Sequence, residues 1–474
     1  MKQRTEKDSL GERQVPAEAY YGIQTQRAID NYPISGHRAD PLLIKAIGCV
    51  KKAAALANQQ LELIPEKIDA AILRAADEVI AGKLNDQFMV DVYQAGAGVS
   101  FHMNANEVIA NRAIEILGGN RGDYSVVHPN DHVNFGQSTN DVFPTSMRLA
   151  TLLLTDETLA AAAQLEASLA RKGKEFDAIL KSGRTHMMDA VPVRLGQEFR
   201  AYATAINRAQ ESIRDAQEFL REVGLGGSAV GTGVNTHPKF QKLVVAKLSE
   251  VSGQKLVATD DMRYAMQSNL AMSTASSSLR NLALELIRIT NDLRLLSSGP
   301  NTGLAEILIP ALQPGSSIMP GKVNPVMAEL TAMVGFQAVG ADIATALAVQ
   351  AGQLELNVMM PAMAWNTLHS ARILANTMRV LAAKCVDGIT ANAERCRYYA
   401  NATLSVAAAL NPYIGYAAAA EIAKESVKTG RTVTEIALER KLLDEKTMHE
   451  ILDPYRMTEP AAPIEEARAK AKKK

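Results

Sequence analysis

The middle of the chain is dominated by helical runs that are unusually long and apolar. The predicted helices cover residues 147–174, 196–223, 260–298, 326–352 and 363–388. An ordinary helix has only about 11–12 residues. Residues 333–342 carry apolar or small side chains almost all round, and a helix without a wide polar face has to be covered on all sides. One bundle from one chain has too few interior positions, so we expect helices of several subunits to pack together.

The patterns on either side of this region differ from it, and they predict three domains. Residues 1–139 mix short helices and loops, and the clearest helix there, at 100–118, ends at two glycines. Residues 140–393 form a central long-helix domain, and residues 394–474 return to shorter helices at 415–429 and 433–440. The sequence therefore predicts an all-α protein with a central helix bundle that assembles into an oligomeric helical core.

The charges of the chain balance, since Lys and Arg total 51 and Asp and Glu total 51. A net charge of zero gives no general attraction to nucleic acid or to an anionic membrane, so we expect neither partner. The basic run at residues 465–474 is interpreted as a frayed helix end in water, with a binding tail as the alternative.

The expected location is the cytoplasm. Cys49, Cys385 and Cys396 show no metal-binding spacing, and their odd number argues against a disulfide framework. The first residues are polar and lack the apolar core of a secretory signal. No stretch has the uncharged apolar length of a membrane span; residues 341–351 come nearest, but they are short and contain Asp342.

Residues 315–325, Gly-Ser-Ser-Ile-Met-Pro-Gly-Lys-Val-Asn-Pro, carry the densest chemistry of the chain, and we call them the serine loop. Their glycines and prolines prevent a helix. Ser316 is a candidate nucleophile or base, Ser317 offers an oxyanion-type donor, and Lys322 supplies a cation. Such a loop between long helices suits a lid over an anionic substrate. The alternative is an ordinary surface turn, but turns rarely combine Ser-Ser, Lys and Asn between Gly and Pro.

A second polar cluster is Ser138, Thr139 and Asn140, just before a helix predicted to begin near Pro144. Neutral hydrogen-bond donors beside a helix N-terminus suit a carboxylate. The structural alternative is helix capping by Asn140 or Asp141, but capping explains only one of these polar residues.

A third cluster, residues 183–192, is predicted as a loop between two helices. A lone histidine is more often structural than catalytic, but His186 follows Arg184 and Thr185, and the combination favours a functional role. Residues 226–233 are glycine-rich, yet they lack the lysine and the βαβ context of a phosphate loop. We interpret them as a tight turn whose backbone approaches the site closely.

Together these motifs resemble the aspartase/fumarase superfamily, also called the fumarate lyases, over essentially the whole chain. The resemblance includes residues 15–22, Val-Pro-Ala-Glu-Ala-Tyr-Tyr-Gly, and residues 352–358, Gly-Gln-Leu-Glu-Leu-Asn-Val. Residues 19–22, 94–100, 137–140 and 322–326 are similar to the ammonia-lyase branch of the superfamily. Residues 128–131, His-Pro-Asn-Asp, instead resemble the second anion site of the fumarases.

The resemblance implies the three-domain fold of the superfamily, a homotetramer, and active sites that each draw on three chains. The reaction it implies is a reversible anti elimination across the Cα–Cβ bond of a succinate-like dianion. Charge builds up on the carboxylate beside the departing proton, and the site has to stabilise it. By resemblance Ser316 is the base, acting as an alkoxide that backbone donors and Lys322 stabilise. Neither a redox cofactor nor a catalytic metal is implied.

The resemblance also assigns the residues that bind a dicarboxylate substrate. The β-carboxylate is expected to contact Ser138, Thr139 and Ser317. The α-carboxylate is expected to contact Thr185, His186, Lys322 and Asn324. Near the leaving amine we expect Asn140 and His186, which makes His186 a catalytic candidate as well. The expected set is completed by Val99 and Ser100.

The chain departs from the superfamily pattern at several positions. Met187-Met188 replace the usual Leu-Gln, and Asn301 replaces the usual Arg. Met360 stands in place of an acidic residue, His102 in place of Asn, and Val99 in place of a residue that is often Thr. We expect elimination of ammonia from L-aspartate to give fumarate, with class II fumarate hydratase or a lyase for an aspartate analogue as alternatives. A catalytically silent helical oligomer is disfavoured, because packing alone needs none of the Ser, Thr, His, Lys and Asn residues of these clusters.

Overall fold

A computed structural model of the chain describes residues 2–465. The basic run that was predicted to be a frayed helix end lies, from residue 466 on, outside the described residues. The described chain is mostly helical, which confirms the predicted fold class, and it forms two compact units. Unit one is the described part of Met1–Ala161 with Ala209–Leu284 and Met333–Asn376. Unit two is Ala162–Arg208, Glu285–Ala332 and the described part of Thr377–Lys474. The division into three domains at 139 and 393 stays a prediction.

Unit one begins with a hairpin that the all-α prediction did not include, β1 (Gln3–Asp8) antiparallel to β2 (Gly11–Pro16). The helices that follow are α1 (Ile23–Asn31), α2 (Pro41–Gln60), α3 (Glu66–Ile80) and α4 (Val99–Ile116). Asp40 caps α2 by accepting from the backbone N–H of Leu42 at 2.8 Å, and Pro41 occupies the first helical position. α2 packs against α3, and α3 against α4, so the apolar stripe of α4 lies in the core.

The next helices are α5 (Thr139–Glu175), α6 (Leu195–Leu220), α7 (Phe240–Ser252), α8 (Met262–Gln267), α9 (Leu270–Leu296), α10 (Val326–Gln350) and α11 (Met360–Lys384). The long ones are α5, α6, α9, α10 and α11, and every boundary between the two units falls inside one of them. The single helix predicted over 260–298 is wrong, because Ser268 adopts an extended conformation and ends α8. Its hydroxyl accepts from the backbone N–H of Leu270 at 3.4 Å at the start of α9.

The chain from residue 393 forms shorter helices, as predicted: α12 (Ala393–Ala402), α13 (Asn411–Ile414), α14 (Tyr416–Thr429), α15 (Val433–Glu439) and α16 (Glu445–Ile451). Their core is built from Leu410, Ile422, Ile436 and Met448. The remaining strands form small pairs: β3 (Leu180–Thr185) with β4 (Met188–Arg194), β5 (Glu222–Val223) with β6 (Val257–Ala258), and β7 (Ile307–Leu308) with β8 (Thr390–Ala391).

Helix α10 carries apolar side chains on faces that are exposed to solvent. Met333, Phe336, Ile343 and Leu347 are each more than half exposed. Within the described residues α10 is also the one helix long and apolar enough to cross a membrane by length and composition, a test that core helices of soluble proteins pass too. The exposed side chains show that residues 2–465 leave some apolar surface of the long helices uncovered.

Candidate functional site

The second polar cluster forms the start of α5. The helix begins at Thr139 and not near Pro144 as predicted, because the Ser138 hydroxyl accepts from the backbone N–H of Asn140 at 3.2 Å. The Asp141 carboxylate in turn accepts from the backbone N–H of Ser138 at 2.9 Å, which completes a reciprocal cap. Ser138 and Asp141 therefore do the capping, while Thr139 and Asn140 lie on the first turn.

Asp141 also ties the glycine-rich segment to this helix. Its second carboxylate oxygen accepts from the backbone N–H groups of Gly226 at 3.0 Å and Ser228 at 2.9 Å. Asn140 donates to the carbonyl of Ala229 at 2.8 Å, so the segment lies against the candidate residues as expected. Burial raises the pKa of Asp141 to about 6, while its backbone hydrogen bonds and Lys51 act in the opposite direction.

The start of α4 lies beside the start of α5. His102, near the beginning of α4, makes a 2.6 Å hydrogen bond through Nδ1 to Thr139 Oγ1. The same turn of α4 carries Val99, which is 41% exposed, and Ser100, which is buried. Two helix N-termini therefore meet at the candidate residues of unit one, and the partial positive charge of each favours a carboxylate.

Behind this surface lies a buried lysine that the sequence reasoning missed. Lys51 Nζ lies 2.8 Å from His102 Nε2, 2.9 Å from Asn134 Oδ1 and 2.9 Å from Gln137 Oε1. Lys51 and His102 are 0% and 1% exposed. The available signal was helical spacing, because Lys51 follows Ile44 and Ile47 at intervals of three and four and so lies on the buried stripe of α2. We call these four side chains the Lys51 cluster.

In unit two, Thr185 and His186 lie at the end of a β-hairpin, so the prediction of a loop between helices is wrong. Strands β3 and β4 are joined by His186 and Met187, whose φ angles of 55° and 63° are those of a two-residue hairpin turn. Histidine tolerates this conformation better than most side chains. We call Thr185–Met188 the hairpin tip; all its side chains are exposed, and Met188 is 69% exposed.

The base of the hairpin is held by buried charges. Lys181 Nζ lies 2.7 Å from Glu198 Oε1 and 3.4 Å from Glu306 Oε2. Arg184 Nη1 lies 3.0 Å from Glu306 Oε1, and the Glu306 side chain is fully buried. The carbonyls of Asp189 and Ala190 on β4 accept hydrogen bonds from hydroxyls of the segment after α12. The exposed tip therefore projects from a firmly fixed base.

The serine loop is irregular, as predicted, and lies between β7 and α10. Ser316 Oγ accepts from the backbone N–H groups of Met319 at 2.9 Å and Ile318 at 3.2 Å. The loop is closed by a bond from the Gly315 N–H to the Lys322 carbonyl at 2.8 Å and by one from Asn324 Nδ2 to the Gly315 carbonyl at 2.7 Å. Two N–H donors aimed at one hydroxyl oxygen favour its anionic form.

The space around the serine loop is open. Ser316 lines a depression of about 450 Å³ together with Pro314, Met319 and Lys322. Ser317 and Lys322 are exposed, whereas Ser316 and Asn324 are half-buried. Within the described residues of unit two, no hydrogen bond or ion pair joins the serine loop to the hairpin tip.

The structure thus brings together the candidates of unit one and keeps those of unit two in two places. One cluster consists of Val99, Ser100, Ser138, Thr139 and Asn140. In unit two, one place holds Thr185 and His186, and the other holds Ser316, Ser317, Lys322 and Asn324. Among residues 2–465 there is no group of three or more His, Cys, Asp and Glu side chains arranged to hold a metal ion.

Comparison with known proteins gives the family. The family model described as Lyase matches residues 11–340, and the model described as Fumarase C C-terminus matches residues 406–459. The aspartate ammonia-lyase of Bacillus subtilis (strain 168) is 49% identical over 457 residues, which cover 96% of each chain. The class II fumarate hydratase of Halobacterium salinarum is 50% identical over 456 residues, which cover 96% of this chain and 97% of that protein.

The solved structures agree with these relatives. The cobalt-bound crystal structure of fumarate lyase:delta crystallin from Brucella melitensis is 48% identical in sequence and has a TM-score of 0.94. The match covers 97% of this chain and 100% of that chain. The class II fumarase of Schistosoma mansoni has the same TM-score and coverage at 36% identity.

Long apolar helices and a Gly/Pro-framed serine loop thus occur in a chain that matches a lyase model over most of its length. The chain belongs to the fumarate lyase superfamily, and the predicted family and the predicted class of enzyme, a lyase, are confirmed. Overall identity does not separate the two branches, because relatives named aspartate ammonia-lyase and fumarate hydratase are 49% and 50% identical to it.

Proposed function

We propose that this protein is an ammonia-lyase that converts L-aspartate reversibly to fumarate and ammonia, with Ser316 as the base. The observation that carries the assignment of the base is the pair of backbone N–H donors on Ser316 Oγ, at 2.9 and 3.2 Å. An ordinary serine hydroxyl is too weak an acid to supply an alkoxide, and such donors favour the anion. The exposed ammonium of Lys322 is carried on the same loop.

The proposed reaction begins when the Ser316 alkoxide removes a proton from the carbon beside the β-carboxylate. The charge that develops on that carboxylate is stabilised by the hydroxyls of Ser138, Thr139 and Ser317, and by the two helix N-termini of unit one. Thr185, His186, Lys322 and Asn324 hold the α-carboxylate, and Val99 and Ser100 border the site. The electron pair of the broken C–H bond forms the double bond as the Cα–N bond breaks, and the ammonium group of the substrate leaves as neutral ammonia beside Asn140 and His186. Donors fixed before the reaction cost no reorganisation when the charge appears.

We further propose that the protein is a cytoplasmic homotetramer whose active sites combine residues of several subunits. Exposed apolar side chains on α10, such as Phe336 and Leu347, support helix packing between subunits. The separation of the hairpin tip from the serine loop within unit two supports shared sites. The free, buried Cys49, Cys385 and Cys396 suit a reducing compartment. Measurement of the molecular mass in solution tests the assembly, and a fully active monomer would contradict it.

The choice of L-aspartate rests on the local motifs and on the relatives named aspartate ammonia-lyase. Two observations favour other substrates. The Halobacterium salinarum hydratase is as similar as the ammonia-lyases, which favours malate. The exposed Met188 at the hairpin tip stands where the superfamily usually has Gln, which favours an aspartate analogue with a less polar substituent.

One assay separates these candidates. The purified chain is supplied in turn with L-aspartate, L-malate and N-substituted aspartates, and the appearance of fumarate is followed. We expect the highest kcat/KM for L-aspartate. A preference for malate would change the proposal to a fumarate hydratase, a preference for an N-substituted aspartate would change the substrate, and no fumarate from any of them would overturn the proposed function.

A further inference from the structure

The Lys51 cluster is not used by the mechanism above, yet it contacts a proposed substrate-binding residue. His102 bridges Lys51 and Thr139: its Nε2 lies 2.8 Å from Lys51 Nζ, and its Nδ1 lies 2.6 Å from Thr139 Oγ1. By resemblance, His102 stands where the superfamily usually has Asn. A buried polar bridge that ends on a substrate-binding hydroxyl can control what that hydroxyl donates to.

The directions of the surrounding hydrogen bonds are fixed by their other partners. Asn134 Nδ2 donates to the carbonyl of Gln137 at 3.1 Å, so Asn134 Oδ1 is the atom that faces Lys51. Gln137 Nε2 donates to the carbonyls of Val133 at 3.1 Å and Phe135 at 3.3 Å, so Gln137 Oε1 faces Lys51. Lys51 therefore donates to both amides and has one further neighbour, His102.

The ammonium form of Lys51 matches all three neighbours, because it has three N–H groups and no acceptor. Its positive charge is balanced by the nearby carboxylate of Asp141, which three backbone N–H groups hold. Burial lowers the pKa of Lys51 well below its ordinary value, and Asp141 opposes that shift. We take Lys51 as the ammonium, and beside it His102 Nε2 is an acceptor, whereas a neutral amine would itself accept from Nε2–H.

The proton of His102 then lies on its other nitrogen. Burial, with the neighbouring Lys51, lowers the pKa of His102 well below its ordinary value, so the ring is neutral and has one N–H. With Nε2 as the acceptor, this N–H is on Nδ1 and donates to Thr139 Oγ1. The hydroxyl of Thr139 has one hydrogen of its own, and since its oxygen already accepts from His102, that hydrogen is left to donate elsewhere.

We propose that His102, held by Lys51, is a positioning residue that turns the hydroxyl hydrogen of Thr139 toward the substrate carboxylate. The inference rests on the proposed function, in which Thr139 binds the β-carboxylate. With the opposite tautomer, Nδ1 would accept the Thr139 hydrogen, and the hydroxyl would face the carboxylate with lone pairs only. Thr139 then stabilises the charge of the transition state only while His102 has its N–H on Nδ1.

Two substitutions of similar size separate the two sides of the ring. The amide of His102→Asn lies near the position of Nδ1 and can donate to Thr139, but it does not reach Lys51. The amide of His102→Gln lies near the position of Nε2 and can accept from Lys51, but it cannot donate a hydrogen bond to Thr139. We measure kcat/KM for aspartate, the Kd for succinate as a non-reacting dicarboxylate, and the thermal unfolding temperature.

We expect His102→Asn to keep kcat/KM within a few-fold of the unmodified chain. We expect His102→Gln to lower kcat/KM by roughly 10- to 100-fold, the range for loss of a hydrogen bond to a charged group, with a smaller rise in the Kd for succinate. Both variants should unfold at similar temperatures. A purely structural role of His102 would instead lower the unfolding temperature and kcat/KM of the two variants together, and equal kcat/KM values would overturn the inference.

A second measurement asks whether His102 acts through Thr139. In a Thr139→Val background, Asn and Gln at position 102 should give the same kcat/KM, because the hydroxyl they control is gone. A 10-fold or larger difference that persists in this background would also overturn the inference. Should His102→Gln fail to fold, Lys51→Met tests the other end of the bridge, since it frees the His102 tautomer; unchanged kcat/KM there would contradict the proposal.

The unmodified chain distinguishes failure of this inference from failure of the proposed function. If it neither forms fumarate nor binds succinate, the proposed function fails and the inference falls with it. If it binds succinate and forms fumarate while the Asn and Gln variants behave alike, only the role of His102 is wrong.

Discussion

In unit one, the candidate residues at the start of α5 lie against a buried polar cluster, whereas in unit two Ser316 lies on a loop whose hydrogen bonds are all local. The first region connects α2, α4 and α5 through side chains far apart in sequence. The second is tied to residues within the loop itself and, at its end, to the first turn of α10. Rigid donors suit a carboxylate whose charge rises during the reaction, and a locally held loop suits a base that has to cover and release its substrate.

The hairpin tip combines features of both regions. Thr185 and His186 are exposed, as most of the serine loop is. The strands behind them are held by the buried Lys181 and Glu306 and by the half-buried Arg184. Because the strands are fixed by these ion pairs, the hairpin tip can present its side chains to a partner or a ligand in a defined position. We therefore expect mutations in the fixed regions, the start of α5 and the base of the hairpin, to differ in their effects from mutations in the locally held serine loop.

The largest effect is expected at Ser316, the proposed base on the locally held loop. Ser316→Ala should lower kcat by about 10²–10⁴-fold, because no other plausible base lies on the loop. The unfolding temperature and the oligomeric state should not change, since the hydroxyl holds only two neighbouring N–H groups. Ser317→Ala is the matched control and should cost less activity. Near-normal kcat in Ser316→Ala would falsify the assignment of the base.

The fixed base of the hairpin should be the most sensitive to loss of a charge. Glu306→Ala leaves Lys181 and Arg184 without their shared carboxylate, and breaking a buried ion pair costs about 3–5 kcal/mol of unfolding free energy. The control is Arg171→Ala, which removes a largely exposed pair with Asp387 and should cost less than about 1 kcal/mol. Denaturant unfolding measures both, and equal losses would show that the hairpin base is not specially held.

Two buried carboxyl groups of unit one extend the comparison to pH. Asp141 has three backbone donors, whereas Asp69 has no hydrogen-bond partner among the described residues. Burial raises the pKa of Asp69 to about 6 from an ordinary value of 3.8, so folding favours its protonated form. This stabilisation is complete below pH 3.8 and is lost as the pH rises through 6.

Asp69→Asn should therefore stabilise the protein by about 1 kcal/mol at pH 8, after allowance for solvent screening, and should change little at pH 4. Thermal unfolding at the two pH values measures the difference. An equal effect at both would mean that the Asp69 carboxyl does not titrate differently in the folded chain.

A smaller effect should distinguish the mobility of the two regions. Lys322 is exposed on the serine loop, and trypsin should cut after it in the unliganded protein. Succinate should slow this cut if the loop closes over a dicarboxylate. Cleavage after Lys255, an exposed site in unit one, is the control and should not change. Equal rates of loop cleavage with and without succinate would argue against closure.

The smallest effect is expected at Met188, which is exposed and therefore not a core residue of this chain. If aspartate is the substrate, Met188→Gln should change kcat/KM for aspartate little. A clear rise would mean that the native substrate is less polar than aspartate, because the restored amide adds a hydrogen bond near His186. Met187→Gln, at a similarly exposed neighbour, shows whether any such change is specific.

Local periodicity was sufficient to predict most of the long helices. The prediction 196–223 corresponds to Leu195–Leu220, and 326–352 corresponds to Val326–Gln350. It failed where a tertiary contact or a cap decides the outcome. α5 begins five residues before Pro144 because Ser138 and Asp141 cap it. Residues 180–194 form a hairpin whose Lys181 and Arg184 meet Glu306, which lies more than a hundred residues away in sequence.

The sequence by itself determined the irregular conformation of the serine loop and the helical class, because glycine, proline and apolar spacing act over a few residues. Only the tertiary structure decided that Lys51 and His102 stand behind Thr139, since their contact joins residues 51 positions apart and depends on how α2 packs beside α4. The charge of a buried lysine and the tautomer of a buried histidine are set by whichever atoms surround them. The direction of the Thr139 hydroxyl, and with it the proposed control of the carboxylate site, therefore follows from packing and not from any local motif.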